Sequence, residues 1–558
     1  MTRTLFTNAQ VLRDAADLKP WNGTKLLDVP RREMLVESGR IVRVANSGDI
    51  PRDQCDETFD LGGRFVMPGF VEPHGHLFWT GVQAQRVALG AAQSLEDIVK
   101  LVAKGASSRP RGSWILGEGW DQTKWRSANG EVAEALPSHE LLSRAVPDHP
   151  VLLMRVDGHA ALCNSAAFKV AGITRSAPDP EGGVIARDHR GEPSGILLER
   201  AMEMVMRLVP PLDRAARRSA TRSGLEILAR YGVTTFHECG ANAEEIAVLE
   251  DLRNAGELTC RMHVMLDGGE EELVRTRLER GPEHWDKDGM LQVRAIKMFA
   301  DGALGSRGAL LMEPYADQPD TRGVAIAGCE ALVKVGRAAL ERGFQLAVHA
   351  IGDAANRIVL DAYEEILAGN TSRDHRFRVE HAQLLAPDDV PRFAKLGVIA
   401  SMQACHCTAD LPWLAARLGT RRAEERGYLW RSLVDSGAVV INGSDTPVEP
   451  PNPFFSFHAA ITRRRRKDQD GDREPFVPGE CLLPHEALAS AGHLAAWAGF
   501  GEAWSGALAP GLGADFIVLK ECPFTADVDQ LTEAIVEETW VAGRRVHGAG
   551  SSSGQEFM

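Results

Sequence analysis

Short runs of apolar and β-branched residues recur along the middle of the chain and alternate with stretches of helical periodicity. Such runs predict strands, and apolar positions three or four residues apart predict amphipathic helices. One run ends in GFVEPHGH, and seven others follow it at residues 232–238, 260–266, 293–299, 344–350, 377–383, 397–403 and 438–445. Eight strands that alternate with helices predict an α/β fold, a (β/α)₈ TIM barrel.

The two ends of the chain carry short alternating runs with glycine at the reversals, which predict strands and turns. Residues 1–64 and 501–548 are therefore expected to form a small β domain beside a barrel of residues 65–500. The stretch from about 78 to 225 fits no single strand-and-helix unit, so it is interpreted as an insertion after the first barrel strand that lines or covers the active site. Residues 549–558 are rich in Gly and Ser and are expected to form a disordered tail.

Composition narrows the functional classes. The chain has 558 residues and a formal net charge of -14, which disfavours nucleic acid and anionic membranes as partners. Its nine scattered cysteines suit reduced thiols better than a disulfide framework. The N-terminus lacks a signal-like apolar run, and no stretch approaches the roughly 20 apolar residues that span a bilayer. A cytoplasmic protein with a small-molecule substrate is expected.

The strongest chemical feature is the pair His74 and His76 at the end of the first predicted strand. Side chains two residues apart in a strand point the same way, so both imidazoles can reach one metal ion. Further ligand-type residues stand at or near the ends of other predicted strands: Lys297, His349, His381 and Asp445. Strand ends converge on one face of a barrel. Imidazole and carboxylate ligands predict Zn²⁺, with another divalent first-row metal as the alternative.

This pattern resembles the amidohydrolase superfamily. The phrases WDQTKW, VDGHAALCNS, KMFADGALGSRGA, LAVHAIGDAAN, RVEHAQ and NGSDTPVEPPNPF resemble, more narrowly, its long-chain branch that includes N-substituted formamide deformylases. The resemblance implies that the two chain ends form a small β-sandwich beside the barrel. It also implies the roles of the ligands: His74 and His76 for one metal ion, His349 and His381 for a second, and Asp445 for metal contact and proton transfer.

Lys297 stands where many relatives have a carbamylated lysine, N6-carboxylysine, that bridges two ions. An unmodified lysine is a cation and would repel Zn²⁺, whereas its carbamate is an anion with two oxygen donors. The alternative is an ion pair between Lys297 and Asp301. One or two metal ions are therefore expected, depending on the modification.

Five further residues are candidates for substrate binding. Trp125, Asp157 and His159 lie in the insertion and are expected either to close over the substrate or to pack within the insertion. Arg307 is expected to meet a polar substrate group or to brace its loop. In Cys405-His406-Cys407 the neighbouring side chains cannot all point inward, so His406 is the one expected to face the substrate.

Two positions depart from the pattern of the relatives. Glu72 precedes the histidine pair where most members have aspartate, and its longer side chain is expected to shift the surroundings of the ligands with little loss of metal binding. Ala404 follows the seventh strand where many relatives have proline, so the resemblance does not fix the shape of that loop.

The resulting hypothesis is hydrolysis of an amide-like C–N bond of a small molecule: metal-bound hydroxide attacks the carbonyl carbon, and Asp445 passes the proton to the leaving nitrogen. One alternative is a deaminase or cyclic amidohydrolase with a single metal ion and an unmodified Lys297. A second is a non-catalytic regulatory protein that retains the barrel. A homodimer is a reasonable expectation for the oligomeric state.

Overall fold

A computed structural model of the chain describes residues 2–125, 136–156, 158–369, 374–469 and 473–548. The tail expected at residues 549–558 lies outside the described residues. The described chain divides into two compact units, one of residues 2–80 and 224–548 and the other of residues 81–223. The insertion was expected at about 78 to 225.

Strands and helices alternate over most of the chain. In chain order the strands are β1 (Arg3–Val11), β2 (Arg31–Glu37), β3 (Arg40–Asn46), β4 (Glu57–Asp60), β5 (Phe65–Pro68), β6 (Phe70–Gly75), β7 (Val87–Ala88), β8 (Ile115–Trp120), β9 (Val151–Arg155), β10 (Ala160–Cys163), β11 (Gly183–Arg187), β12 (Pro193–Glu199), β13 (Val233–Ala241), β14 (Arg261–Asp267), β15 (Leu291–Phe299), β16 (Gln345–Ala350), β17 (Arg378–His381), β18 (Ile399–Met402), β19 (Val440–Asn442), β20 (Phe516–Leu519), β21 (Val536–Val541) and β22 (Arg544–His547). The α-helices are α1 (Leu77–Ala84), α2 (Leu95–Ser107), α3 (Glu140–Ala145), α4 (Ser165–Ala171), α5 (Glu203–Met206), α6 (Arg214–Arg230), α7 (Ala243–Asn254), α8 (Glu271–Arg280), α9 (Cys329–Arg342), α10 (Asp353–Leu367), α11 (Val390–Leu396), α12 (Ala404–Leu418), α13 (Thr420–Arg426), α14 (Trp430–Asp435), α15 (Pro453–Thr462), α16 (Pro484–Ser490) and α17 (His493–Ala498).

The first unit contains a parallel barrel. Its eight strands follow the order β6-β13-β14-β15-β16-β17-β18-β19, and every neighbouring pair is parallel. The first and last strands meet just beyond their ends, where the Asp445 amide donates to the His74 carbonyl at 2.9 Å and the His76 amide donates to the Thr446 carbonyl at 2.8 Å. The eight-stranded parallel barrel predicted from the sequence is therefore confirmed as a nearly closed barrel.

Strands from both chain ends form a second sheet in the same unit, with the order β22-β21-β20-β5-β1-β2-β3 and β4 beside β1. The run expected to be the first barrel strand holds two strands, because β5 pairs with β20 in this sheet and β6 begins the barrel. Gly69 separates them. A Cβ atom at this position would overlap the side chain of Thr234, so only glycine lets the chain pass close to β13.

Helices that follow the barrel strands bury one apolar face. In α9 the buried residues include Leu332 and Leu340, eight positions apart and hence on one side of the helix. This helix ends at Gly343, which has a φ of 82°, as the pattern of residues 329–343 predicts. The apolar layer between strands and helices fixes the strand ends, and with them the side chains of the candidate site.

The second unit has its own sheet and core. Its six strands follow the order β11-β12-β10-β9-β8-β7. Apolar side chains from α2 and the sheet pack together, among them Ile98, Val102, Trp120 and Leu153.

Within the described ranges, no helix combines the length and apolar character needed to cross a bilayer. All nine cysteines are described, and none forms a disulfide.

Candidate metal centre

Asp445 sits between the two histidines that leave the first barrel strand. Its Oδ1 atom lies 3.4 Å from His74 Nε2 and 3.3 Å from His76 Nε2. One donor atom from each of the three residues lies within 4.8 Å of the other two. Asp445 has a φ of 59°, a left-handed value that is uncommon for a residue other than glycine, although aspartate adopts it more readily than most. The last strand and the first thus bring three of the predicted ligands together.

The other two predicted histidines complete the cluster. The rings of His349 and His381 have centroids 4.4 Å apart, and the His381 ring lies 4.8 Å from that of His74. Both side chains come from the ends of adjacent strands, β16 and β17. His381 also has a positive φ, of 73°, because the chain turns sharply at the end of its strand. All four histidines named as ligands therefore converge with Asp445.

Lys297 lies in the same place and is only 1% exposed. Its Nζ atom is 4.7 Å from the centre of the Phe299 ring, and it forms no hydrogen bond or ion pair with any described residue. Asp301, the alternative partner, instead accepts hydrogen bonds from the backbone amides of Leu310, Ile351 and Gly352. A buried lysine without a direct hydrogen bond or ion pair is costly, although the charges of Glu238 and Glu380 act on Lys297, and modification or a ligand would relieve that cost.

The donor set fits a divalent metal ion. The Nε2 atoms of His74 and His349 are buried and form no hydrogen bond with any described residue, although buried polar atoms nearly always have a partner. Burial lowers the pKa of His349 to about 3 and, with the charge of His349, that of His381 well below its ordinary value. A neutral imidazole is the form that binds a metal. His349 and His381 therefore offer neutral nitrogen donors beside the Asp445 carboxylate, and the buried Nε2 atom of His74 faces the same cavity.

The Nδ1 atom of His74 contacts a buried ion pair formed by Arg378 and Glu380. His74 Nδ1 lies 2.5 Å from Glu380 Oε2, and Arg378 Nε lies 2.6 Å from Glu380 Oε1, with all three side chains almost completely buried. Although burial opposes it, the charges of Arg378 and His74 hold the pKa of Glu380 well below its ordinary value. The Glu380 carboxylate accepts the Nδ1 proton, which leaves Nε2 as the lone-pair donor. Sequence reasoning missed this pair; two charged residues that alternate with Phe377 and Val379 were the available signal.

Glu72 connects the first strand to the last. Its carboxylate accepts the backbone amides of His74 and Ser444, each at 3.0 Å. Gly443 makes room for it, because a Cβ atom there would overlap Glu72 Oε1. The departure from aspartate thus gives a side chain long enough to reach the amides of both ligand-bearing segments.

The loop after the seventh strand is short, since α12 begins at Ala404. The Ala404 amide donates to Asn442 Oδ1 at 2.8 Å, a bond that the proline of many relatives would not make. His406 follows in the first turn, and its Nε2 atom lies 3.9 Å from Asp445 Oδ2. Cys405 is buried against Ser456 instead.

A cavity of about 390 Å³ opens onto the cluster. Seventeen residues line it: His74, His76, Lys297, Phe299, Ala303, Leu304, Gly305, His349, Ile351, His381, Gln383, His406, Asp410, Trp413, Asp445, Val448 and Glu449. Every residue predicted to bind metal is among them, together with His406. Asp410, Trp413 and Glu449 were not singled out from the sequence.

Arg307, another residue predicted to bind substrate, does not line this cavity. Arg307 forms a bidentate pair with Asp317, at 2.9 and 3.1 Å, which braces its loop. Trp125 is buried in the core of the second unit, and His159 is exposed there beside Glu199. Asp157 lies outside the described residues. A substrate role for these four residues stays a prediction.

A parallel barrel with imidazole, carboxylate and lysine side chains at its strand ends defines a metal-dependent hydrolase. The model of the amidohydrolase family matches residues 57–547. The chain therefore belongs to the amidohydrolase family, as its motifs predict.

Several proteins resemble it over nearly their whole length. Protein LONG AFTER FAR-RED 3 of Arabidopsis thaliana is 34% identical, covering 95% of this chain and 92% of that protein. Putative amidohydrolase YtcJ of Bacillus subtilis is 34% identical, covering 88% and 90%. The N-substituted formamide deformylase of Arthrobacter pascens is 26% identical, covering 91% and 94%. Among solved structures, an uncharacterized metal-dependent hydrolase from Pyrococcus furiosus has a TM-score of 0.74 and 28% identity, covering 94% of this chain and 100% of that one.

Proposed function

We propose that this protein hydrolyses an amide-like C–N bond of a small molecule, with Asp445 carrying the proton. One observation supports the proposal most strongly: the Asp445 carboxylate touches the histidine cluster and lines the adjoining cavity. One oxygen lies against His74 and His76, while the other is 3.9 Å from His406. A carboxylate placed in this way reaches both the candidate metal centre and a substrate.

The residues that would hold one or two ions are His74, His76, His349, His381 and Asp445, with Lys297 as a further ligand if it is carbamylated. Zinc is the metal that we propose. When bound, the ion supplies Lewis acidity, which polarises a carbonyl group and brings the pKa of a coordinated water to about 7.

Asp445 performs the proton transfers in the proposed reaction. Against the effect of burial, His74 and His76 hold the pKa of Asp445 well below its ordinary value, so the carboxylate is ionised before the reaction begins. It takes the proton from the attacking water as the C–O bond forms. It then gives that proton to the amide nitrogen as the C–N bond breaks, because an unprotonated amide nitrogen is a very poor leaving group.

The neighbours of Asp445 keep this geometry fixed. The Asp445 amide is bonded to the His74 carbonyl, and Glu72 ties the amide of Ser444 to the same strand end. Proton transfer requires donor and acceptor within hydrogen-bond reach, and these bonds fix the backbone from which the Asp445 carboxylate extends. The name of the Arthrobacter relative, a formamide deformylase, is in keeping with an amide substrate.

The test combines metal analysis with turnover. Protein purified without chelators is examined by inductively coupled plasma mass spectrometry and native mass spectrometry, and then assayed on N-substituted amides for release of amine. We expect two metal ions and the added mass of one carbon dioxide at Lys297. Asp445→Asn should abolish turnover and keep most of the metal, whereas Asp435→Asn, at an exposed helix position, should change neither.

Other outcomes would change the assignment. A single ion without the added mass, together with ammonia release from heterocycles, would favour the deaminase alternative. A folded protein that binds no metal would favour a non-catalytic role.

The β-sandwich, the homodimer and the cytoplasmic location also stay predictions.

A further inference from the structure

One face of helix α12 follows the cavity away from the candidate metal centre. His406, Asp410 and Trp413 are spaced four and three residues apart, so they share this face, and all three line the cavity. His406 is the nearest of the three in sequence to the start of the helix and lies beside Asp445. With a rise of 1.5 Å per residue, Asp410 stands about 6 Å and Trp413 about 10 Å further along the helix axis.

The Asp410 carboxylate is held in place and keeps one oxygen available. Its Oδ2 atom accepts hydrogen bonds from Gln383 Nε2, at 2.7 Å, and from the Tyr428 hydroxyl, at 2.5 Å. No described residue donates to Oδ1. Tyr428 is itself fixed, since its carbonyl accepts a hydrogen bond from the buried Arg463 at 2.8 Å. The wall of the cavity therefore presents a fixed hydrogen-bond acceptor.

A second carboxylate acts on the same part of the cavity. Burial raises the pKa of Asp410 to about 7, and the charge of Glu449 contributes to the increase. Glu449 also lines the cavity, and Arg466 offsets part of its charge. Because the charge of Glu449 disfavours a second negative charge at Asp410, this part of the cavity favours a ligand that brings positive charge.

The proposed function places the reacting end of a ligand at the histidine cluster, because Asp445 contacts His74 and lines the same cavity there. The cavity thus has two distinct polar ends along α12, one at the histidine cluster and one at Asp410. A ligand that satisfies both must carry an electrophilic carbon at one end and a hydrogen-bond donor at the other.

We propose that Asp410, assisted by Glu449 and Trp413, selects substrates that carry a cationic nitrogen. This nitrogen lies about 6 Å, roughly one turn of α12, from the bond that is cleaved. The suitable groups are ammonium, amidinium and guanidinium, which donate hydrogen bonds to a carboxylate. Trp413 offers an aromatic face for the same cation or for an attached ring. This assignment rests on the proposed function only for the position of the reacting end.

The test uses two probes of the same shape, phenylguanidine, which is a cation, and phenylurea, which is neutral. Their binding to the protein as purified, with its metal, is measured by isothermal titration calorimetry. The wild-type chain should bind phenylguanidine about tenfold more tightly than phenylurea, since one fully used charge pair contributes at least that factor. Asp410→Asn keeps the shape and an acceptor for Gln383 and Tyr428, and should remove this preference.

Glu425→Gln is the matched control, because it removes one negative charge from an exposed pair with Arg421 in the next helix. It should leave both affinities unchanged. Equal binding of the two probes by the wild-type chain, or no binding of phenylguanidine at millimolar concentration, would overturn the assignment even if the variant failed to fold. Binding requires no turnover, so failure of the hydrolase proposal would be recognised separately by the amide assay.

Discussion

Replacement of Glu380 by Gln tests whether the buried ion pair sets the metal affinity. Glu380 and Arg378 are both completely buried and 2.6 Å apart, and Glu380 also binds His74 Nδ1. The variant leaves the Arg378 cation without its counter-charge in the interior. Loss of one partner of a buried pair lowers the free energy of unfolding by about 3–5 kcal/mol. Arg378 still donates to the Pro73 carbonyl and to Ser401 Oγ, so we expect the lower part of that range.

The same substitution acts on the metal through His74. An amide accepts the Nδ1 proton less strongly than a carboxylate and can also turn its NH₂ group towards the ring. Loss of such a partner typically weakens metal binding about 10- to 100-fold. Zinc affinity is measured by competition with a chromophoric chelator, and stability by urea unfolding of the metal-free chain.

A matched control shows whether these effects belong to the buried site. Glu364→Gln removes a carboxylate that pairs with Lys395 on the surface, where solvent screens the charges. It should change neither quantity appreciably. Zinc affinity within twofold of wild type in a folded Glu380→Gln variant would refute the role assigned to the carboxylate. Unchanged stability would refute the reasoning on the ion pair.

Three further predictions follow from the same contacts. Gly443→Ala should lower both stability and zinc affinity, because a Cβ atom would overlap Glu72 Oε1 and lie 3.1 Å from the His74 amide; chelator competition and thermal unfolding measure these losses. Asp410 has its pKa raised from 3.8 to about 7, so the folded chain retains a proton that the unfolded chain has lost, and this group makes stability fall as pH rises through that window. Urea unfolding at several pH values should therefore show Asp410→Asn gaining stability relative to wild type from the lower to the upper end of the window. Lys297→Met should bind one zinc ion fewer than wild type by mass spectrometry and lose the added carbon dioxide; an unchanged zinc content would contradict the bridging role.

The barrel could be predicted because each strand is marked by a short run of apolar residues within its own segment of the sequence. Alternating side chains placed His74 and His76 together, and the ends of parallel strands necessarily meet at one face. The same reasoning failed at residues 65–76, where a single apolar run contains β5 and β6. The turn at Pro68 and Gly69 marks a break within this run, whereas the pairing of β5 with β20 depends on residues that are distant in sequence.

The residues that surround the ligands were harder to predict. Arg378 and Glu380 belong to an alternating strand, but their partners come from the first and seventh barrel strands. Asp410 was overlooked because the sequence analysis did not extend to the helix that begins at Ala404. Long-range contacts of this kind require the barrel to be closed before they can be seen.

The buried ion pair of Arg378 and Glu380 next to His74 is explained by function rather than by stability. An apolar pair in place of Arg378 and Glu380 would avoid the cost of removing two ions from water, and such exchanges are often neutral or stabilising. The fold alone therefore gives no reason to keep them. The direct bond from Glu380 to His74 Nδ1 supplies the reason, because only an acceptor at that nitrogen fixes the ring with Nε2 towards the cavity. The ion pair is best explained as part of the metal centre, even though removing its two charges from water lowers the free energy of unfolding of the barrel.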